Sequence, residues 1–295
     1  MKNKLKIFLT GGNGFIGKNI LEQLGDKYEF LAPRSAELDL TNSDQVSNFL
    51  AEHKPDLVIH AANLGGKRKD KNIENLAFLN LQMFFNIIRN RKYFSRLIML
   101  GSGAEYDRRS DIKEVKEEDF DNKIPADQYG FYKYVCSKYS EQVDFITYLR
   151  IFGIYGKYED YSVRFISNNI CRVLLGLPVS INQNANFEFI YIDDFIKILD
   201  YFVNHKGREK FYNIGSGCKD SLLDIGHKIS DKSGQDTPIF IKQEGLNKEY
   251  TCNIDRLKRE IPDLTFTSIE KGINQLFIYY SNKIKDIKKE DILFD

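Results

Sequence analysis

The sequence predicts an α/β protein with a Rossmann-like, doubly wound parallel sheet and a smaller C-terminal α/β lobe. Three observations carry this prediction. In the first half, short apolar runs alternate with longer helix-like stretches, which is the rhythm of βαβ units. Two of the runs, LVIH and LIML, are apolar at successive positions, as in strands that helices cover on both faces. A glycine-rich turn follows the first run directly.

The predicted strands of the first half read, in chain order, KIFLT, YEFLA, DLVIH, RLIML and FITYLRIF. The second half is more irregular and offers a helix over 163–175, a strand reading FEFIYI and a helix that opens at Asp193. The last residues, KIKDIKKEDILFD, are charged, so we expect a solvated tail. At 295 residues the chain is long enough for two lobes with separate cores.

Charge and composition exclude several kinds of partner and site. The 43 basic and 42 acidic residues leave a net charge of +1, so we expect neither nucleic acid nor an anionic membrane as a partner. The amino-terminal apolar run is too short for a signal sequence or a spanning helix, which favours a cytoplasmic protein. The four cysteines are scattered without metal-ligand spacing, so we expect reduced thiols and no metal site.

The turn after the first strand is a GxxGxxG pattern that opens a helix. Glycines permit the tight turn and let the backbone approach a pyrophosphate, while the helix N-terminus offers free N–H groups. Glycines also collect in ordinary turns, but this position between strand and helix predicts a dinucleotide site. The residues expected to bind the cofactor there are Gly11, Asn13, Gly14, Phe15, Ile16 and Gly17.

The end of the second strand indicates which dinucleotide binds. An NAD site usually places a carboxylate there, about 20 residues after the glycines, to bind the ribose 2′-hydroxyl. This chain reads YEFLAPRSAELDL and has Arg34 at that point, where a guanidinium can pair with a 2′-phosphate. We therefore predict NADP(H). NAD stays open as the alternative, because Arg34 could also be an ordinary surface arginine.

Tyr129 and Lys133 lie four residues apart in a helix-like stretch that runs to about Val143. On one helix face, the ammonium can stabilise a tyrosinate and make Tyr129 a usable general acid. A YxxxK spacing also arises by chance in a chain this rich in Tyr and Lys. The order of elements favours the catalytic reading, because the strand RLIML ends in Gly101-Ser102 before this helix begins. His53 and His60 are expected to have structural roles.

At this point the chain resembles the extended short-chain dehydrogenases of the NAD-dependent epimerase/dehydratase family, which modify nucleotide sugars. The resemblance rests on motifs in the family's order along nearly the whole chain, namely TGGNGFIG, VIHAAN, GSGAEYD, YGFYK, LRIFGIYG, FEFIYIDDF and YNIGSG. It implies that Ser102 binds the substrate oxygen at C4, that Tyr129 transfers the proton and that Lys133 assists it and binds the cofactor ribose. It further implies cofactor contacts at Asp39, Leu40, Ala61, Ala62, Phe152 and Ile154, and a structural Asn80.

The resemblance also implies a domain division and an assembly. We expect a dinucleotide-binding domain over 1–155, to which 186–212 return, and a substrate-binding lobe over 156–185 and 213–295. Relatives often dimerise through two helices, which here would hold 75–90 and 129–143. A homodimer is therefore expected.

Departures from the family pattern narrow the reaction. The family's dehydratases carry Thr-Asp-Glu where this chain has Ser102-Gly103-Ala104, so the acidic pair that dehydration needs is missing and Glu105 lies one residue too far on. The pattern LGSGAEY, with Arg34, resembles the branch of GDP-fucose synthases and 4-keto-6-deoxy-sugar reductases. The fucose synthases use a Cys and a His for epimerisation, and these positions are Ala104 and, approximately, Arg164 here. We therefore predict simple NADPH-dependent reduction at C4, preferably of a dTDP-linked 4-keto-6-deoxyhexose, with GDP or CDP open.

The phosphates of a nucleotide sugar need cations. The family often has an Arg before the strand FEFIYI, where this chain has Phe187, so Arg164 and Lys248 are the candidates. Asp193 and Asp194 are expected to cap the following helix. Two other functions stay open: a nucleotide-sugar 4-epimerase with tightly bound NAD, which uses the same Ser, Tyr and Lys, and a non-catalytic NADP-binding protein of the same fold.

Overall fold

The predicted parallel sheet is present in the computed structural model, which describes residues 4–65, 73–234 and 237–292. The strands of these ranges are, in chain order, β1 (Lys6–Thr10), β2 (Glu29–Leu31), β3 (Leu57–His60), β4 (Arg96–Ser102), β5 (Ile112–Val115), β6 (Ile146–Ile151), β7 (Ile154–Tyr155), β8 (Val179–Asn184), β9 (Asn186–Glu188), β10 (Ile190–Tyr191), β11 (Phe211–Ile214), β12 (Lys219–Ser221), β13 (Ile239–Leu246) and β14 (Tyr250–Cys252). Six of them form the main sheet in the order β11-β6-β4-β3-β1-β2. The five strand runs predicted for the first half are β1, β2, β3, β4 and β6, and their pairs are parallel.

Helices connect these strands. They are α1 (Phe15–Leu24), α2 (Ser43–His53), α3 (Leu76–Ile88), α4 (Gln128–Glu141), α5 (Phe165–Leu174), α6 (Ile192–Asn204), α7 (Leu222–Lys232), α8 (Asp255–Glu260), α9 (Ile269–Ser281) and α10 (Lys289–Ile292). Polar residues fix two of the starts: Asn42 accepts hydrogen bonds from two amides of α2, and Asp127 accepts one from Gly130 of α4. All residues of β3 and β6 are buried, as expected for central parallel strands.

The chain divides into two compact units. The first holds 1–109, 116–151 and 196–213, and the second holds 110–115, 152–195 and 214–295. The expected domains placed 110–115, 152–155 and 186–195 with the dinucleotide-binding part, whereas these residues lie in the second unit. One reason is that β5 pairs with β14, so 110–115 join the sheet of the second unit. The binding roles of the two units stay a prediction.

The second unit contains a four-stranded sheet, β12-β9-β14-β5, and two two-stranded sheets, β10-β7 and β13-β8. The expected strand FEFIYI is interrupted at Phe189 and becomes β9 and β10. The helix expected over 163–175 is α5, and the one expected at Asp193 is α6, which begins one residue earlier. In the ranges that the structure describes, no helix is both long enough and apolar enough to cross a bilayer.

The expectation of a solvated tail is wrong for part of the tail. Ile287 and Ile292 are 8% and 1% exposed, and the Tyr161 hydroxyl donates to Asp291 of α10. The isoleucines are buried within the second unit, whereas Lys288, Lys289 and Glu290 between them are exposed. The charge of the segment therefore hid an amphipathic pattern.

Glu159 is a buried carboxyl in the second unit, on the segment that leads into α5. It is 7% exposed, and its Oε2 accepts a 2.6 Å hydrogen bond from the Ser167 hydroxyl of α5. Burial raises the pKa of Glu159 from 4.5 to about 7, although the Ser167 hydroxyl opposes the rise. The folded protein therefore holds this proton more tightly than the unfolded chain does. As the pH rises from about 4.5 to about 7, this group lowers the free energy of unfolding.

We expect Glu159→Gln to stabilise the protein on the alkaline side. The glutamine keeps an acceptor for Ser167 but carries no charge, so at pH 8 the free energy of unfolding should rise by about 3 kcal/mol at most. The gain should shrink as the pH falls toward 5. Urea unfolding of wild type, Glu159→Gln and the exposed-site control Glu52→Gln at pH 5 and pH 8 measures this. An equal change in both variants, or a gain independent of pH, would contradict the assignment.

Candidate active site

The glycine turn after β1 is packed against the end of β3. Gly11 has φ of +72°, and a Cβ there would lie 2.8 Å from the Ala62 amide nitrogen. A Cβ on Gly17 would overlap the Gly11 carbonyl oxygen, and Gly14 donates a 2.9 Å hydrogen bond to that same oxygen. Glycine is required at Gly11 and Gly17 because backbone atoms already occupy the space of a side chain.

The N-terminus of α1 is open to an anion. Gly14 is its N-cap and makes no side-chain cap hydrogen bond, and the first turn contains no acidic residue. Asn13 and Gly14 are exposed, whereas Phe15 and Ile16 are half-buried. Free amide N–H groups at the positive end of a helix suit a pyrophosphate. The residues predicted from the sequence therefore form a cradle that fits a dinucleotide.

Thr10 joins this cradle to the end of the neighbouring strand β3, a role that the sequence did not indicate. Its hydroxyl accepts 3.1 Å hydrogen bonds from the amides of Ala61 and Ala62. It also lies 2.8 Å from Nδ1 of His60, which is 2% exposed. Burial and the nearby Lys133 charge lower the pKa of His60 to about 3, so the imidazole is neutral and can accept the Thr10 proton. His60 thus has the structural role that was expected.

Arg34 does follow β2, but the structure pairs it with a carboxylate. Its guanidinium lies 2.8 Å from Glu37, whose carboxylate also accepts the Arg34 amide. The Arg34 side chain is 68% exposed, so the guanidinium loses little of its hydration in this pair. The hydrogen bonds from Arg34 lower the pKa of Glu37. A 2′-phosphate would have to replace Glu37 as the partner of Arg34.

Asp39 and Leu40 lie beyond Arg34, where the resemblance implies contacts with the adenine. The Asp39 carboxylate accepts hydrogen bonds from the amide and the hydroxyl of Thr41, so it stabilises a local turn. Leu40 packs against the core, and its carbonyl accepts from Asn86 of α3. Asn80, on the same helix, bonds both the amide and the carbonyl of Leu64. These contacts hold the loops that border the cradle.

Ser102 ends β4 and begins a tight 3₁₀ turn, Gly103–Tyr106. It is 8% exposed, and its hydroxyl accepts a 3.2 Å hydrogen bond from Ala104. The Ser102 amide donates a 2.9 Å hydrogen bond to Glu105. The Glu105 carboxylate points inward, where Arg150 pairs with it at 3.0 Å.

Lys133 reaches the strand that carries Ser102. It is 4% exposed, and its ammonium donates a hydrogen bond to the Leu100 carbonyl, two residues before Ser102. Tyr129 is half-buried one helical turn earlier, with its ring 5.5 Å from that of Tyr132. The structure therefore brings the predicted Ser102, Tyr129 and Lys133 to one end of the sheet.

Gly130 explains how α4 comes so close to the Ser102 turn. A Cβ at this position would lie 2.8 Å from the Ala104 carbonyl oxygen and 2.8 Å from a carbon of Pro125. The first turn of α4 thus rests directly on the 3₁₀ turn. The residue beside Tyr129 must be small for the tyrosine and the serine to belong to one site.

The other predicted site residues lie in the second unit. Phe152 is 1% exposed, with its ring 4.8 Å from that of Tyr250, and Ile154 is in β7, paired with Ile190 of β10. Arg164 precedes α5 and Lys248 lies between β13 and β14, and both are exposed. The binding roles of these residues stay predictions.

Phe187 and Asp194 belong to the motif FEFIYIDDF of the second unit. Phe187 stacks on Phe189 at 5.8 Å and lies 5.5 Å from Tyr250, so an aromatic cluster occupies the position of the family's arginine. Asp193 and Asp194 were expected to cap α6, but the helix begins at Ile192, so both residues lie inside its first turn. The Asp194 carboxylate accepts the amide and the hydroxyl of Thr267, which ties α6 to the segment before α9.

Comparison with known proteins shows which family this chain is similar to. The NAD dependent epimerase/dehydratase family matches residues 7–215. GDP-L-colitose synthase of Yersinia pseudotuberculosis is 25% identical over 305 residues, covering 95% of this chain and 99% of that protein. The solved UDP-glucose 4-epimerase of Thermotoga maritima has a TM-score of 0.82 at 18% identity, over 95% of this chain and 99% of that one. GDP-mannoheptose C4 reductase of Campylobacter jejuni, solved with NADP bound, has a TM-score of 0.81 at 18% identity and the same coverage.

The structural likenesses show the fold, and the family match spans well over half of the chain, including the cradle, Ser102, Tyr129 and Lys133. This chain belongs to the NAD-dependent epimerase/dehydratase family and is an NAD(P)-dependent oxidoreductase of nucleotide sugars.

Proposed function

We propose that this protein is an NADPH-dependent 4-reductase of a nucleotide-activated 4-keto-6-deoxyhexose. The observation that carries the proposal is that the Glu105 carboxylate already has partners in the core. Its two oxygens are bonded to Ser102 and Arg150 in the core, and its neighbour Ala104 has no acid or base. Ser102, Tyr129 and Lys133 are thus the reacting groups, and they suffice for a carbonyl reduction.

The proposed mechanism uses these residues in turn. Residues Gly11 to Gly17 and Lys133 would hold the dinucleotide, which would supply the hydride for C4 of the sugar. The Ser102 hydroxyl donates a hydrogen bond to the C4 oxygen and orients the ketone. Tyr129 gives its phenolic proton to that oxygen as negative charge develops there, and the Lys133 ammonium stabilises the tyrosinate that remains. The product is a C4 alcohol, and solvent returns the proton to Tyr129.

Dehydration and C3 or C5 epimerisation need a further base that can reach the sugar. Burial raises the pKa of the Glu105 carboxyl, and the Arg150 guanidinium opposes that rise while holding the carboxylate away from the turn's surface. Ala104 is 1% exposed and offers only a methyl group. The site therefore supports a single hydride and proton transfer.

NADP(H) is the proposed cofactor because of Arg34, with Glu37 as a competitor for the same guanidinium. The pair is exposed, so water screens it and a doubly charged phosphate can displace the carboxylate. A GDP-linked sugar is the proposed substrate, since the Yersinia relative and the Campylobacter reductase are both named for a GDP-linked sugar. The preference for dTDP that was expected from the sequence has no such support, so GDP takes its place in this proposal. Arg164 and Lys248 are the proposed phosphate contacts.

A nucleotide-sugar 4-epimerase with bound NAD is the second candidate. The Arg34–Glu37 pair favours it, because a guanidinium already held by a carboxylate is a weaker signal for a 2′-phosphate. An epimerase would return the hydride to the opposite face of the same ketone, and Tyr129 would return the proton to the C4 oxygen. It would retain stoichiometric NAD on purification and consume no NADPH.

We also propose a homodimer formed by α3 and α4. Phe78 and Phe85 of α3 and Phe131 of α4 are 63%, 38% and 40% exposed. Phe78 and Phe85 are seven residues apart, so they lie on one face of α3, and α3 packs beside α4. Exposed aromatic rings on two adjacent helices suit a second copy of the same surface.

The first prediction concerns turnover. Wild type should oxidise NADPH, followed by its near-ultraviolet absorbance, with one of GDP-, dTDP- or CDP-linked 4-keto-6-deoxyhexose. Tyr129→Phe should lower kcat by about 10² to 10⁴ because no proton donor remains. Tyr139→Phe, which removes a hydroxyl from the same helix, is the matched control and should keep activity. Full activity in Tyr129→Phe would contradict the mechanism, and no oxidation with any substrate would favour the epimerase.

The second prediction concerns the cofactor. Arg34→Ala should raise the KM for NADPH by about tenfold or more and leave that for NADH unchanged, because a charge-assisted bond to the 2′-phosphate is lost. Glu37→Gln should do the opposite and lower the KM for NADPH, since it frees the guanidinium. Steady-state kinetics with both cofactors measures both effects. Equal changes for NADPH and NADH in Arg34→Ala would remove the NADP assignment.

The third prediction concerns assembly. Light scattering should give twice the 34.4 kDa mass of the chain for wild type. Phe78→Asp should give a monomer, because it places like charges on both sides of the proposed interface. Phe240→Asp is the control, since Phe240 on β13 is 62% exposed and lies outside α3 and α4. A monomeric wild type, or dissociation by the control alone, would refute this interface.

A further inference from the structure

Arg150 is a charged side chain in the middle of the buried strand β6. It is 1% exposed, and four groups surround its guanidinium. Nε pairs with Glu105 at 3.0 Å, Nη2 donates to the Ser137 hydroxyl at 2.8 Å, and Nη1 donates to the Tyr106 hydroxyl at 3.2 Å and, at 3.4 Å, to the Glu117 carbonyl. A guanidinium is planar and rigid, so these bonds fix the relative positions of their partners.

Two of these partners belong to the two elements that carry the proposed reacting residues, the 3₁₀ turn after Ser102 and the helix α4. Glu105 is in the 3₁₀ turn and accepts the Ser102 amide through its other oxygen, at 2.9 Å. Ser137 is on α4, four residues after Lys133 and eight after Tyr129, so the three residues follow one face of the helix. Arg150 therefore connects the turn of Ser102 to the helix of Tyr129 and Lys133.

Aromatic rings prevent the guanidinium from moving to another partner. Its carbon lies 4.2 Å from the ring centre of Phe120 and 4.8 Å from that of Phe211. The ring of Tyr106 is 5.5 Å away, and the Tyr106 hydroxyl donates to Asn213 at 2.8 Å. Because the alternative to this arrangement is an unpaired buried charge, the guanidinium has one favourable position.

We propose that Ser137, Arg150 and Glu105 are positioning residues, which hold Tyr129 and Lys133 in register with Ser102 for the transfer of the proton. The proposal rests on the proposed function for its kinetic consequence, but the mechanical link is a property of the fold alone. Reacting groups tolerate little displacement, since a shift of about 1 Å can cost on the order of 10²-fold in rate. Ser137 never meets the substrate in this proposal and acts through Arg150.

Ser137 is the residue to change. Replacing Arg150 or Glu105 would leave its partner as a buried unpaired charge, and the variant could fail to fold. Ser137→Ala removes one hydrogen bond and leaves the ion pair in place. Ser140→Ala is a matched control, because Ser140 lies on the same helix, is 0% exposed like Ser137, and donates only to the Cys136 carbonyl of its own helix, at 2.7 Å.

The kinetic experiment compares the two alanine variants with wild type. In Ser137→Ala we expect kcat to fall on the order of tenfold while the KM for NADPH stays unchanged, because the proton transfer is misaligned and the cradle is intact. The deuterium isotope effect with NADPH labelled at its transferring position should increase, since chemistry becomes slower. Ser140→Ala should match wild type in all three. Thermal unfolding should show that both variants fold, with the larger loss in Ser137→Ala, because that change leaves a buried guanidinium N–H without a partner. Equal kinetics in the two variants would overturn the proposal.

Amide hydrogen exchange tests the link without any substrate. In Ser137→Ala the amides of Ser102 and Ala104 should exchange faster than in wild type, although they lie in another element, and in Ser140→Ala they should not. If wild type turned over no keto sugar, the proposed function would be wrong and this comparison would still decide the link. Unchanged exchange of the Ser102 turn in Ser137→Ala would overturn it.

Discussion

The Arg150–Glu105 ion pair is the interaction on which the structure depends at the end of the first unit that carries Ser102, Tyr129 and Lys133. Taking a guanidinium and a carboxylate out of water costs several kcal/mol for each ion, and the pair offsets this only when every donor and acceptor is used. Here the bonds to Ser102, Ser137, Tyr106 and Glu117 complete the set. These bonds join β4, β6 and α4, so displacing any one of the three elements would break a bond of a buried charge.

A different kind of constraint shapes the cofactor cradle. Its form comes from backbone contacts, in which Gly11 and Gly17 leave room for neighbouring main chain and Thr10 ties β1 to the end of β3. The residues proposed to distinguish one dinucleotide from the other, Arg34 and Glu37, are exposed, and their side chains pair with each other. In the proposed function, the general affinity for a dinucleotide and the choice between NADP and NAD would therefore be physically separate, and the choice could change with a surface residue.

The strands of the main sheet could be predicted from the sequence because each of them is a local run of apolar residues. Successive apolar residues in LVIH and LIML identified β3 and β4, and glycines at a strand end identified the cradle. Contacts between distant residues could not be read in this way. The pairing of β5 with β14 moved 110–115 into the second unit, and the isoleucines of the tail were masked by surrounding charge. Arg150 carried a signal, since a charge inside the apolar run ITYLRI must have a buried partner, but nothing in the order of residues named Glu105 or Ser137.

The contact between Gly130 and the Ala104 carbonyl limits how such a chain can evolve. Even a methyl group at this position would press against main chain, so α4 would have to shift away from the Ser102 turn or the turn would have to be rebuilt. A copy of this gene that drifted to a larger residue there could keep its serine, tyrosine and lysine and still lose the geometry that makes them a site. The glycine at the contact between α4 and the Ser102 turn therefore indicates whether a related protein keeps the geometry of this site. A survey of paralogues that compared only the serine, the tyrosine and the lysine would overlook it.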